Sequence, residues 1–175
     1  MGTRSEIYIR NSNECIGLWK HWDGYPDYMI PMFKEFLEYA YNEWKEAPHW
    51  LTYPEDLAGL LISWYHKKLR EELKKIREDT PVNTDIRPFI DVTGEKLIED
   101  AEYIWIINTP ENNHVPLRYE ILGYKLRNFN GLTKEEIIQV KEKGRIKSPN
   151  AKLVVREVVE LETPKEKEWV FTIAK

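Results

Sequence analysis

The chain reads as an α+β fold in which a mostly antiparallel sheet packs against two longer helices, in the order ββ-αα-βββ-α-ββ. Three observations predict this. Strand-like runs gather at both ends of the sequence, and two stretches of helical periodicity fill residues 31–78 between them. Strand runs that follow one another are joined by short loops, which antiparallel neighbours allow and parallel ones do not. A length of 175 residues suits one α+β domain over 1–175, with no linker long enough to divide it.

Residues 6–10 alternate, with Ile7 and Ile9 on one face. Residues 15–22 alternate too, with Ile16, Leu18 and Trp22 together. Asn11-Ser12-Asn13-Glu14 lies between them, and short polar side chains favour turns by bonding nearby backbone, so the pair predicts an N-terminal hairpin. Asp23-Gly24-Tyr25-Pro26-Asp27 marks the next turn. Pro31 suits the first turn of a helix, and Met32, Phe33, Phe36, Leu37, Ala40, Tyr41 and Trp44 recur at helical spacing after it. Pro48 ends that helix, and 46–54 reads as a linker. Pro54 then opens a second helix, with Glu55 and Asp56 where the positive end of the helix dipole favours acid. Leu57, Leu60, Leu61, Trp64, Leu69, Leu73 and Ile76 carry its apolar stripe to about Glu78, before Pro81.

The second half is strand-rich. Phe89 to Val92 is a short strand closed by Thr93-Gly94. Tyr103 to Ile107 is apolar on both faces, which predicts a central strand. Residues 108–115 form the loop to a strand at 117–124. Thr133 to Glu136 is a capping box, with Leu132 and Ile137 placed as a hydrophobic staple, so a short helix runs to Lys143 and stops at Gly144. Leu153 to Leu161 and Trp169 to Ile173 predict a last hairpin around Thr163 to Lys167.

Composition narrows the function classes. Lys+Arg is 26 and Asp+Glu is 30, a net charge of −4, which argues against a nucleic-acid coat or a polybasic membrane binder. No apolar run is long enough to span a membrane and no leader is visible, so a cytoplasmic location is expected, the host cell interior if the protein is viral. Abundant Lys and Glu suggest a thermophilic source. Cys15 stands alone and mid-strand, more suited to burial than to reactivity. The sequence has no phosphate-cradling glycine loop, no nucleophile elbow, and no paired-histidine or paired-cysteine metal motif. His21 and Asp23 with His66 would be the nearest thing to a metal set, and no metal or other cofactor is expected in the main reading.

The densest constellation is Trp19-Lys20-His21-Trp22-Asp23-Gly24-Tyr25-Pro26, at a strand-to-helix junction, where a rigid strand end can aim side chains into a mouth. A structural account is equally available: Asp23 capping the turn and Gly24 supplying a positive φ. The chain opens Met1-Gly2-Thr3-Arg4-Ser5 before this hairpin and turn. In that it resembles a family of uncharacterised phage and bacterial proteins with the same five opening residues and an aromatic-Asp-Gly-Tyr-Pro turn before the first helix. Ala101 to Trp105 is also similar to a late strand of that family. The resemblance is confined mainly to the N-terminal ~30 residues, and the Gly-His-Gly that the family often has near Met29 to Pro31 is missing. It implies a phage or mobile-element context, and no activity.

Charge is unevenly spread. From Arg118 to Arg156 there are 10 basic and 4 acidic residues, and the loop Gly144 to Asn150 is the natural tip of that stretch. The expected function is therefore a non-catalytic viral or mobile-element accessory protein that binds a small anionic ligand such as a nucleotide. Its ligand would lie between Arg4, Trp19, His21, Asp23 and Tyr25 on the turn side and Arg145 and Lys147 on the basic side. An Arg4–Asp23 ion pair is the structural counterpart of that site. A second reading is an enzyme, a Mg-dependent nuclease or phosphodiesterase using Asp91, Glu99, Asp100 or Glu102, since Mg²⁺ takes oxygen ligands. In a third, the exposed turn aromatics, Trp50 and Tyr53 among them, dock a protein partner or form a homodimer. Nucleic acid is not excluded as a partner.

Overall fold

The computed structural model describes residues 3–75, 85–88, 100–114 and 116–162. One sheet carries six strands: β1 (Ser5–Arg10), β2 (Cys15–Lys20), β3 (Ile86–Pro88), β4 (Tyr103–Asn108), β5 (Leu117–Leu126) and β6 (Ala151–Leu161). Their order across the sheet is β3-β2-β1-β4-β5-β6. Every neighbouring pair is antiparallel except β1 and β4, which run parallel with Ser5 opposite Tyr103 and Arg10 opposite Asn108. The helices are α1 (Pro26–Trp44), α2 (Pro54–Lys74) and α3 (Lys134–Lys143), with a 3-10 turn at Pro48–Thr52. The expected strand at 89–92, the end of the second helix at 76–78, and the hairpin with its strand at 169–173 lie outside the described residues, as do Asp91 and Glu99.

Strand side chains alternate, so the sheet feeds two cores. On one face Ile7, Ile9, Leu18, Trp105, Ile107, Tyr119 and Ile121 pack against Met29, Phe33, Phe36 and Leu37 of α1 and Leu57, Leu61 and Tyr65 of α2. On the other, Tyr8, Ile104, Ile106, Leu122 and Tyr124 pack with Leu132 and with Val140 of α3. This two-sided cover explains why β4 is apolar on both faces from Tyr103 to Ile107. α3 carries the anticipated capping box, Thr133 Oγ1 accepting from Glu136 N and Glu136 Oε1 from Thr133 N, and ends at Gly144 with φ 67°.

Several expectations are corrected. α1 starts at Pro26, so Pro26 occupies the first turn and Pro31 sits inside the helix. Pro31 has no N–H to give to the preceding turn, yet the apolar stripe of α1 on the sheet holds the helix together across it. The 46–54 linker contains the 3-10 turn. β2 ends at Lys20, and Trp22 beyond it is 49% exposed instead of joining Ile16 and Leu18 in the core. The residue with positive φ in the turn is Asp23, at 55°, and Gly24 is not on the left-handed side. Arg4 pairs with Asp100 at 2.7 Å rather than with Asp23. Asp100 is thereby engaged by a guanidinium.

Candidate functional site

The Asp23 turn is held from three sides. Gly24 N–H donates to the Thr3 carbonyl at 2.8 Å, and Trp105 Nε1–H donates to the Gly24 carbonyl at 2.8 Å. A Cβ on Gly24 would stand 2.6 Å from Ser5 Cβ and 2.9 Å from the Thr3 carbonyl oxygen, so a side chain here displaces backbone. The Asp23 carboxylate pushes the exposed Tyr25 phenol up and accepts its hydrogen bond. His21 stacks edge-on between Trp19 (centroids 5.2 Å) and Trp22 (4.4 Å). The backbone groups of Gly24 thus tie the turn to the segment before β1 and to β4.

Beneath the turn lies a group of residues that the sequence did not single out. Lys20 is 0% exposed and its ammonium pairs with Asp85 Oδ2 at 2.9 Å. It also donates to the Trp22 carbonyl, while Asp85 Oδ1 accepts from Trp22 N–H at 3.0 Å. The ammonium stands 4.9 Å from the Tyr28 ring centre and 5.0 Å from that of Tyr65, whose hydroxyls bond each other at 2.7 Å. Burial pulls the Lys20 ammonium down, against the opposing pull of Asp85, and burial pushes the Tyr65 phenol far up. These groups satisfy one another and fasten β3 to the sheet.

The basic stretch divides between the two ends of β5. At the Glu120 end, Arg156 grips Glu120 Oε2 with Nε at 2.8 Å and Nη2 at 2.7 Å, and Arg145 lies 3.7 Å from Oε1. Asn108 donates to the same Oε1 at 3.1 Å and to the Gly144 carbonyl at 3.0 Å, and accepts from Arg10 at 2.6 Å. Gly144 is held tightly, because a Cβ there would fall 2.2 Å from Asn108 Oδ1. Arg145 is therefore committed to a carboxylate, five residues along β5 from Lys125, or about 17 Å.

At the opposite end, a groove of about 470 Å³ opens between the end of β5 and the turn into β6. Lys125, Arg127, Lys152, Phe129, Ser148, Pro149, Leu126 and Ala151 line it. Three cations, a hydroxyl and a phenyl ring that is 57% exposed share this space, and among the described residues no acid lines it. Its frame is backbone: Arg127 N–H donates to the Asn150 carbonyl at 2.9 Å, Ala101 N–H to the Phe129 carbonyl at 3.1 Å, and Ala151 N–H to the Ser148 carbonyl at 3.3 Å. Gly131, with φ 75°, turns the chain back after Phe129. No protein-family model, curated protein or solved structure matches the chain. The chemistry of this groove has to be read from its own residues.

The residues expected to share a ligand are spread out. Lys20, Ser5, Tyr103, Lys125 and Lys152 follow one another across β2, β1, β4, β5 and β6, so the Asp23 turn and the groove are four strand spacings apart, about 19 Å. Trp19, His21, Asp23 and Tyr25 stay together at the turn. Arg4 turns to Asp100, Arg145 to Glu120, and Lys147 is exposed with its N–H bonded to Gln139 Oε1 at 2.7 Å. Phe129 was missed because one aromatic between two asparagines has no periodicity, and only its Asn-Phe-Asn-Gly turn context marks it as surface. Among the described residues, no three His, Cys, Asp or Glu side chains gather as a metal would require, and no helix is long and apolar enough to cross a membrane.

Proposed function

We propose that the protein binds a small anionic ligand, a nucleotide by its chemistry, in the groove between Lys125–Phe129 and Ser148–Lys152. One observation carries this reading: the cations and the exposed ring line the same groove, and no carboxylate among the described residues lines it. The Arg127 guanidinium offers a planar fork for phosphate oxygens, and Lys125 and Lys152 add point charges on facing strands. Phe129 gives a base a face to stack on, worth about 1–3 kcal/mol in comparable sites. The Ser148 hydroxyl can bond a sugar or phosphate oxygen. This lining supplies the groups of a binding site, and among the described residues no carboxylate or imidazole lines it to act as a general base.

The test is calorimetric titration of the protein with mono-, di- and triphosphate nucleosides at low and moderate salt, with and without Mg²⁺. Saturable binding that weakens with salt is expected, together with at least a ten-fold loss in Arg127→Gln and in Phe129→Ala. Arg145→Gln should leave binding unchanged, because that guanidinium faces Glu120 at the far end of β5. No heat across the panel, or equal losses for Arg127→Gln and Arg145→Gln, would refute the groove as the site.

A further inference from the structure

A second cleft, of opposite electrostatic character, opens where α1 meets α2. Trp44 at the end of α1, Trp50 in the 3-10 turn, and Leu51, Glu55, Asp56, Leu57, Gly59 and Leu60 line a cavity of about 330 Å³. The two indoles touch each other, with centroids 5.9 Å apart and planes at 52°. They form one wall, and each leaves 38% of its surface to solvent. Tyr53, 45% exposed, stands perpendicular to Trp50 at 6.2 Å. Glu55 and Asp56 are exposed lining residues, neither forms an ion pair with a described residue, and no described basic side chain lines the cavity. The α2 dipole accounts for acids at this point of the helix. It does not account for two indoles left open around a cavity.

Gly59 completes the arrangement. A Cβ added there would meet nothing within 4 Å, so the helix surface is bare on the side that faces the cleft. Glycine in mid-helix is unfavourable relative to residues with a side chain, and here no close packing demands it. Its effect is to keep the cleft open.

We propose that this cleft binds a small-molecule quaternary ammonium compound of the choline type. Indole faces attract a positive charge through their quadrupole, most strongly when the cation is bulky and weakly hydrated. The carboxylates of Glu55 and Asp56 add net negative charge at the rim. A trimethylammonium head lies against the indole wall, and its polar tail points past Glu55 and Asp56 to solvent. A neutral isostere has the same shape but loses both attractions, and a phosphate ligand is repelled, so this cleft and the basic groove select different molecules.

The experiment follows the protein's tryptophan fluorescence during titration with choline, with tetramethylammonium, and with 3,3-dimethyl-1-butanol, the uncharged isostere of choline. Saturable change with both cations is expected, and the alcohol should bind at least ten-fold more weakly. Gly59→Leu fills the cleft and favours the helix, so it should abolish the choline response while keeping or raising the melting temperature. Trp50→Leu should weaken choline at least ten-fold. Equal binding of the alcohol would overturn the proposal in favour of a merely apolar cleft. No saturable response to either cation, or an unaltered response in Gly59→Leu, would overturn it outright.

Discussion

Above pH 10 the protein should unfold steeply, with four buried phenols setting the slope. Tyr8, Tyr65, Tyr119 and Tyr124 are each almost fully removed from solvent. Burial is the main cause that pushes all four up, with the neighbouring Glu6 charge adding to it at Tyr8. In the unfolded chain each ionises near pH 10, whereas in the fold each holds its proton to higher pH. Above that pH the folded state therefore holds more protons than the unfolded one, and stability falls by about 1.4 kcal/mol per pH unit for each tyrosine. Together the four give at most about 5 kcal/mol per unit, while all of them stay protonated in the fold. Lys20 acts the other way. Its folded-state value is lowered below 10.5, so the unfolded chain holds the extra proton between the two values and stability rises with pH across that window. Lys20 offsets at most about 1.4 kcal/mol of this per pH unit up to about pH 10.5, so the fall is shallower there and steepens beyond it. Against a total stability of about 5–15 kcal/mol, the fall completes within roughly one to three pH units. Circular dichroism and phenolate absorbance, followed through one alkaline titration, should show these tyrosines ionising together with loss of structure. Tyr119→Phe should remove about a quarter of the slope. Ionisation of all 10 tyrosines near pH 10 with the dichroism intact would refute the reasoning.

Three further variants probe the turn and the buried pair beneath it. Lys20→Met strands the Asp85 carboxylate, whose side chain is only 2% exposed, and should cost about 3–5 kcal/mol in urea unfolding. Lys20→Met with Asp85→Leu should recover part of that loss, though not all, because Trp22 N–H loses its acceptor. Gly24→Ala forces a Cβ against Ser5 and the Thr3 carbonyl, and should lower stability by about 1–3 kcal/mol in thermal melts. Ligand affinity at the basic groove should be unchanged in that variant once it is folded.

What the sequence revealed was local. The apolar stripes of α1 and α2, the alternation of β1, and the Thr133–Glu136 box are each written within one element, and periodicity reads them directly. Its failures were of two kinds. At the α1 start, two prolines competed, and the stripe from Met32 onward drew the boundary past Pro26, which the backbone in fact uses. The other failures were long-range. Nothing in a single chain ties Lys20 to Asp85, or Arg4 to Asp100, because each pairing depends on which strands and loops become neighbours. The Arg118–Arg156 charge excess was visible, but its division was not. Glu120 faces Arg156 across β5 and β6 and captures Arg145, and that leaves Lys125, Arg127 and Lys152 to the groove.

The parallel pairing of β1 with β4 also sets the order in which the chain can assemble. β1 is flanked by β2, its immediate neighbour in sequence, and by β4, which begins at Tyr103. During synthesis at about 5–20 residues per second, the open edge of β1 waits roughly 5–20 seconds for its second partner. Meanwhile the hairpin and the two long helices are already complete. Trp105, which packs against Phe33 and bonds the Gly24 carbonyl, is therefore made after both of those partners. Release of the nascent chain before residue 108 leaves a helix-covered hairpin with one bare central edge, a species prone to capturing strands from other molecules.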